Sequence, residues 1–330
     1  MYLRFLALYL VVLTSSVHAA PYEFGHGFNL HDSLTAGGYI STEFASDQQV
    51  DTVTIDDVAV MAYGNIGSNF SYLAELEAIG FYHKNITDGD EGGSQKFHIE
   101  RLYGDIWLSD TFNFRLGKQI APIGYWNLEP INVLRDTTSN PLYSTILFPK
   151  FLTGIDMNGY LPQSGTTRYH LFGQATHDMD EEYINIPNTH FYGLSLEHEL
   201  SMETSFGGSI GEFIALKSDE KTQFLQGNAK YDNGSLLLSA EAIAAKTNYQ
   251  NSKSDVTLSG YLQSVYHFSN EHAIVGRYEY YDDQHRDYRD HIGIFGYSYR
   301  PIYPISIKGE YQWHSQENEN RTLLSFSVLF

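Results

Sequence analysis

The chain has 330 residues, no cysteine and a formal net charge of −20. Aromatic residues make up 15% of it, with 26 Tyr and 20 Phe beside 28 Gly, while charged residues reach only 18% and mean hydropathy is −0.31. The acidity excludes a nucleic-acid partner, because phosphates would be repelled. The aromatic and glycine content fits a membrane barrel, which needs aromatic girdles and alternate water-facing residues. Lack of cysteine fits an exported protein without disulfides.

Residues 1–19 read as a signal peptide. Arg4 supplies the positive start, residues 5–13 the apolar core, and Val17-His18-Ala19 a small-x-small cleavage site. That apolar run is shorter than the roughly 20 residues a spanning helix needs. No later segment is a continuous apolar run of that length. Only helices and closed barrels span lipid, so the mature chain is either secreted and soluble or an outer-membrane barrel. Residues 20–33 form a short periplasmic lead-in, and residues 34–330 the barrel.

From residue 34 the pattern has period two, the signature of strands with two different faces. Sixteen strands are predicted, at 34–44, 57–66, 70–82, 95–108, 111–118, 151–161, 166–176, 189–198, 203–214, 222–231, 235–246, 255–268, 272–281, 290–299, 305–314 and 321–330. Most have about 10–13 residues, near the length a tilted strand needs to cross a bilayer. Connections after even-numbered strands are tight turns, among them Asp232-Asn233-Gly234, a strong hairpin signal. Those after odd-numbered strands are often longer and more polar. Short periplasmic turns and longer outer loops are the layout of an even-stranded antiparallel transmembrane β-barrel.

One connection breaks the rhythm. Residues 119–150 will not read as strand or turn and hold four of the nine prolines, Pro122, Pro130, Pro141 and Pro149. An irregular connection of this length inside a regular pattern tends to be functional. It is expected to fold into the lumen as a constriction loop.

Facing follows from the alternation, since the outward side must be apolar. On the fifteenth strand Ile305, Ile307, Gly309, Tyr311 and Trp313 face lipid, and Ser306, Lys308, Glu310, Gln312 and His314 face the lumen. The same rule turns Arg115, Arg168, Lys230, Arg277, Glu43, Glu75, Glu77, Glu241 and Glu279 inward. In the folded-in stretch Lys118, Arg135 and Lys150 are basic, and Glu129 and Asp136 acidic. A sixteen-stranded lumen is too wide for wall side chains alone to fill. Charges at the narrowest part then set selectivity. Opposed charges there create a transverse field that orients small polar solutes, and the acidic excess implies weak cation preference or none.

On the last strand Leu324, Phe326, Val328 and Phe330 alternate with Ser325, Ser327 and Leu329. This resembles the terminal signature of bacterial outer-membrane barrels, and the resemblance implies that Phe326, Val328 and Phe330 are read by the barrel-assembly machinery. A second resemblance lies in Arg115-Leu116-Gly117-Lys118-Gln119-Ile120-Ala121-Pro122-Ile123-Gly124. A strand ending in Gly-Lys, with Pro and Gly following, is similar to the start of the constriction region in phosphate-selective (O/P-type) porins. Ser139-Asn140-Pro141 and Gly154-Ile155-Asp156 are similar in layout. The resemblance implies that Arg115 and Lys118 belong to the constriction region. It does not extend to phosphate specificity, because basic residues here are scattered and offset by glutamates rather than arranged as a ladder.

Two acidic stretches, residues 87–92 and 177–182, read as solvated outer loops that repel or bridge lipopolysaccharide. Neither has the spacing of a calcium loop. The 14 histidines show no metal-ligand or catalytic spacing. No cofactor, metal or enzymatic activity is expected. The reading is a Gram-negative outer-membrane porin, expected to be a homotrimer set in lipid and lipopolysaccharide, passing small hydrophilic solutes or ions passively. The alternative is a barrel acting as an adhesin or structural surface protein.

Overall fold

The computed structural model describes residue 22 and residues 24–330, apart from 48, 182, 250–253 and 317–318. The expected signal peptide lies outside the described residues. Sixteen strands build one wall: β1 (Leu34–Ser46), β2 (Asp51–Ile66), β3 (Phe70–Asn85), β4 (His98–Ser109), β5 (Phe112–Ile120), β6 (Phe151–Tyr160), β7 (Thr167–Gln174), β8 (Asn188–Glu199), β9 (Thr204–Ala215), β10 (Lys221–Asp232), β11 (Leu236–Asn248), β12 (Asp255–His267), β13 (His272–Asp283), β14 (Tyr288–Tyr299), β15 (Ile305–His314) and β16 (Arg321–Leu329). Each is antiparallel to the next, and β16 pairs with β1 through Val328↔Ile40 and Leu324↔Phe44. Closure leaves the wall without a free edge. Phe330 completes the seam, exchanging two 2.8 Å main-chain hydrogen bonds with Gly38.

The side chains are packed inside out. Along β15, Ser306, Lys308, Glu310, Gln312 and His314 are buried, while Ile307, Tyr311 and Trp313 are exposed. Leu262 and Phe295 are 58% and 66% exposed, whereas Glu241 is 2% exposed. A water-soluble protein buries the opposite set, and a lipid-facing barrel wall requires this one. Phe326 is likewise exposed between buried Ser325 and Ser327.

Strand bounds differ from expectation where the alternation is broken. β2 begins at Asp51 rather than at residue 57, because the register with β1 slips between Ser41 and Thr42. That bulge interrupts the period-two signal across Asp56. The lead-in folds onto the rim that carries the short turns. Phe28–His31 pairs with β1, the Tyr63 hydroxyl donates to the His26 carbonyl at 3.0 Å, and the His26 ring stacks on Tyr303 at 5.7 Å.

The interior is not simply water-filled. Phe172, Phe191, Phe213, Phe224, Ile243 and Tyr261 point inward from β7 to β12 and form an apolar cluster. Ile123, Trp126, Tyr143 and Phe148 of the long connection pack on it. This greasy half-lining is a departure from an all-polar lumen. The wall alone does not fill the space, and the connection completes the packing.

Candidate channel constriction

The connection between β5 and β6 begins with a tied neck. Ala121 N–H donates to the Lys150 carbonyl at 2.9 Å, and the Asn127 amide donates to the Ala121 carbonyl at 2.7 Å. Two glycines shape its entry. Gly117 has φ +124°, and a Cβ there would lie 2.2 Å from the Leu102 carbonyl oxygen. Gly124 has φ +66°, and a Cβ there would lie 1.8 Å from Glu241 Oε2. Both positions therefore exclude a side chain. Beyond them come two 3-10 turns, Trp126–Leu128 and Asn132–Leu134, and one α-helical turn, Tyr143–Ile146.

Inward-facing carboxylates on alternate strands hold this connection by its main chain. Glu241 on β11 accepts from Trp126 N–H at 2.8 Å and from the Tyr143 hydroxyl. Glu279 on β13 accepts from Leu142 N–H at 2.9 Å, and Glu310 on β15 from Thr138 N–H at 2.9 Å and Ser139 N–H at 3.2 Å. Cations take the carbonyls. Arg277 donates to Ser139 O at 3.1 Å, and Lys308 to Asn132 O at 2.8 Å and Thr137 O at 3.0 Å. Arg300 donates to Val133 O and Arg135 O. Burial alone would raise the Asp136 carboxyl, but hydrogen bonding to His267 and the charge of Arg300 keep it below its usual value.

A second connection also turns inward, contrary to its reading as a solvated outer loop. Lys118 Nζ lies 2.9 Å from Asp178 Oδ1 and donates to the Asp180 carbonyl at 3.1 Å. The Asp180 carboxylate accepts from Ile99 N–H at 3.0 Å and meets His98 Nδ1 at 3.2 Å. Tyr183 is buried, donates to Glu77, and sets its ring edge-on to Phe151 at 5.2 Å. The reason is Lys118: a fully buried ammonium needs a counter-charge, and Asp178 supplies it.

Between these two connections and the wall of β2–β4 lies a cavity of about 210 Å³. Asp56, Asp57, Glu77 and Glu100 line it from the strands, and Arg135 and Lys150 from the long connection. The β2 bulge admits two successive aspartates to one face, and a second register shift, between Glu75 and Leu76 opposite β4, accompanies Glu100. Three of these carboxylates are held by hydroxyls. Tyr39 donates to Glu77 at 2.8 Å and to Glu100 at 3.0 Å, and Ser41 donates to Asp57 at 2.6 Å. Arg135 lies over the Trp126 ring at 5.0 Å. Burial draws the Arg135 guanidinium down to about 10, which leaves it cationic at neutral pH.

The residues expected at the constriction thus divide. Glu77, Arg135 and Lys150 line the cavity. Lys118, Arg277, Lys308, Glu279 and Glu310 are engaged in holding connections in place. Glu75 pairs with Arg101, and Arg115 pairs with Asp105 at 2.7 Å while lying 4.0 Å over Tyr103. Arg168 is exposed at the short-turn end of β7, opposite Tyr160. Asp56, Asp57, Glu100 and Tyr183 were not singled out from sequence. The sequence signal of Asp56, Asp57 and Glu100 is the interrupted alternation around residues 56 and 100.

No protein-family model and no curated protein matches the sequence. Solved structures do match. An anion-selective porin from Comamonas acidovorans superposes with a TM-score of 0.65 at 12% identity, over 90% of this chain and 99% of that one. OmpF of Salmonella typhi, in complex with daunomycin, gives 0.66 at 9% identity over 91% and 98%. The trimer form of OmpT, an outer membrane protein of Vibrio cholerae, gives 0.64 at 10% identity over 90% and 99%. The chain therefore has the sixteen-stranded fold of Gram-negative outer-membrane porins. These likenesses do not single out the phosphate-selective subgroup.

Proposed function

We propose that the protein is an outer-membrane porin that lets small hydrophilic solutes or ions diffuse through a narrowed, charged channel without catalysis. One observation carries this reading: carboxylates from the wall and cations from the long connection line one cavity inside a wall whose outer side is apolar. In that arrangement residues 119–150 are the constriction loop, the short turns face the periplasm and the long connections face outward. Four carboxylates against two cations favour small cations, weakly. A homotrimer surrounded by lipid and lipopolysaccharide, inserted by the barrel-assembly machinery, belongs to the same reading. The trimeric form of the Vibrio neighbour and the alternation of exposed Leu324 and Phe326 with buried Ser325 and Ser327 on β16 support it.

Single-channel recording on purified protein tests the proposal. Stable ohmic steps with a reversal potential of the cation-preferring sign in a KCl gradient are expected. A silent bilayer would favour a surface-contact role, and strong anion preference would overturn the charge argument.

A further inference from the structure

At the long-connection rim, where β14 begins and β15 ends, three side chains converge that take no part in the constriction. His314 Nδ1 lies 2.7 Å from Asp290 Oδ2 and 3.6 Å from Glu319 Oε2, and the three ligand atoms all fall within 4.8 Å of one another. We propose that Asp290, His314 and Glu319 form a binding site for a divalent transition-metal ion of the Zn²⁺ type.

Spacing is the first argument. Tetrahedral Zn²⁺ with bonds of about 2.1 Å holds its ligand atoms roughly 3.4 Å apart, and the observed separations bracket that value. Preorganisation is the second. Asp290 is wholly buried, and its Oδ1 accepts from Ser315 N–H at 3.0 Å and from the Ser315 hydroxyl at 2.8 Å. Oδ2 is left aimed at the ring. Tyr288 donates to Glu319 Oε2 at 3.1 Å and steadies the third ligand.

The third argument is charge. His314 Nδ1 donates to Asp290 Oδ2 at 2.7 Å, with the Glu319 carboxylate 3.6 Å from the same nitrogen. A metal ion takes the place of that ring proton, because a ligating nitrogen must be deprotonated, and it answers both carboxylates at once. One imidazole with carboxylate oxygens suits Zn²⁺ better than Mg²⁺ or Ca²⁺, which take oxygen ligands. Sequence spacing hides the site, because the pairing of Ile292 with His314 is what brings Asp290 alongside.

The full chain, purified and folded in detergent, is titrated with Zn²⁺ by calorimetry and with Co²⁺ by visible absorption. One equivalent is expected to bind, with Co²⁺ giving d–d bands of a low-coordinate site. His314→Ala and Glu319→Gln should each weaken binding about tenfold or more. Glu319 lies on an exposed connection, so Glu319→Gln reports on the site even if His314→Ala fails to fold. Wild-type protein that binds no Zn²⁺, binds Mg²⁺ equally well, or binds no more tightly than Glu319→Gln would overturn the assignment.

Discussion

Replacing Glu241 by glutamine is the most direct test of what holds the inner connection. Its Oε1 accepts from Trp126 N–H at 2.8 Å and the Tyr261 hydroxyl at 2.7 Å, and its Oε2 accepts from the Tyr143 hydroxyl and the Gln226 amide at 3.1 Å. Glutamine keeps one acceptor oxygen for Trp126 N–H and the Tyr261 hydroxyl and turns an NH₂ group toward the Tyr143 hydroxyl and Gln226, which must rotate to accept. What goes is the charge assistance, about 1 kcal/mol for each bond, the difference between hydrogen bonds to charged and to neutral groups. The ladders of β11 with β10 and β12 are formed by main chain, so the wall does not depend on this side chain. The expected result in a planar bilayer is larger, noisier single-channel current, with the heat-resistant gel mobility of the folded barrel retained. Current indistinguishable from wild type, with the barrel intact, would refute the idea that Glu241 anchors the connection.

Other outcomes follow from the same geometry. Gly124→Ala places a methyl group against Glu241 Oε2 at a positive φ; it should give the same noisy current as Glu241→Gln, measured in the same bilayer. Asp57→Asn should lower cation preference and Lys150→Gln should raise it, read as opposite shifts of the reversal potential in a KCl gradient. Burial would raise the Asp180 carboxyl, but the Ile99 N–H, His98 and Lys118 hold it below its usual value. A depressed carboxyl stabilises above its unfolded value and loses that contribution as pH falls through the folded one, so the connection between β7 and β8 should loosen only below about pH 4. Asp180→Asn should show at pH 7 the current fluctuations that wild type shows only on such acidification. Deleting Phe330 removes two seam hydrogen bonds, a loss of about 1–3 kcal/mol, and should lower the temperature at which the gel-shifted folded form disappears.

The wall was legible because lipid enforces a rule on every second residue. That is why β15 sorts into faces from sequence alone. Lys308 and Glu310 were correctly turned inward, but facing says nothing about partners. Their engagement by Asn132, Thr137, Thr138 and Ser139 depends on how residues 119–150 fold back. The cavity acids were hidden by bulges, since two consecutive inward residues such as Asp56 and Asp57 violate the pattern used to find inward residues. Residues 177–182 misled for a different reason. Acidic side chains in a connection usually meet water, and only the buried Lys118 marks Asp178 as its counter-ion. Gly117 and Gly124 carried real information, now explained by the close approach of Leu102 and Glu241.

Much of the hold on the inner connection is made to peptide groups: the N–H of Trp126, Thr138, Ser139 and Leu142, and the carbonyls of Asn132, Val133, Arg135, Thr137 and Ser139. Every residue type except proline offers both groups. Substitutions along this stretch therefore leave that part of the hold in place and remove only side-chain bonds such as those of Thr137, Thr138, Ser139 and Tyr143, whereas a change at Glu241, Glu279 or Glu310 displaces many positions at once. The wall carboxylates are thus the mount, and the stretch they carry is the part free to vary in side-chain chemistry.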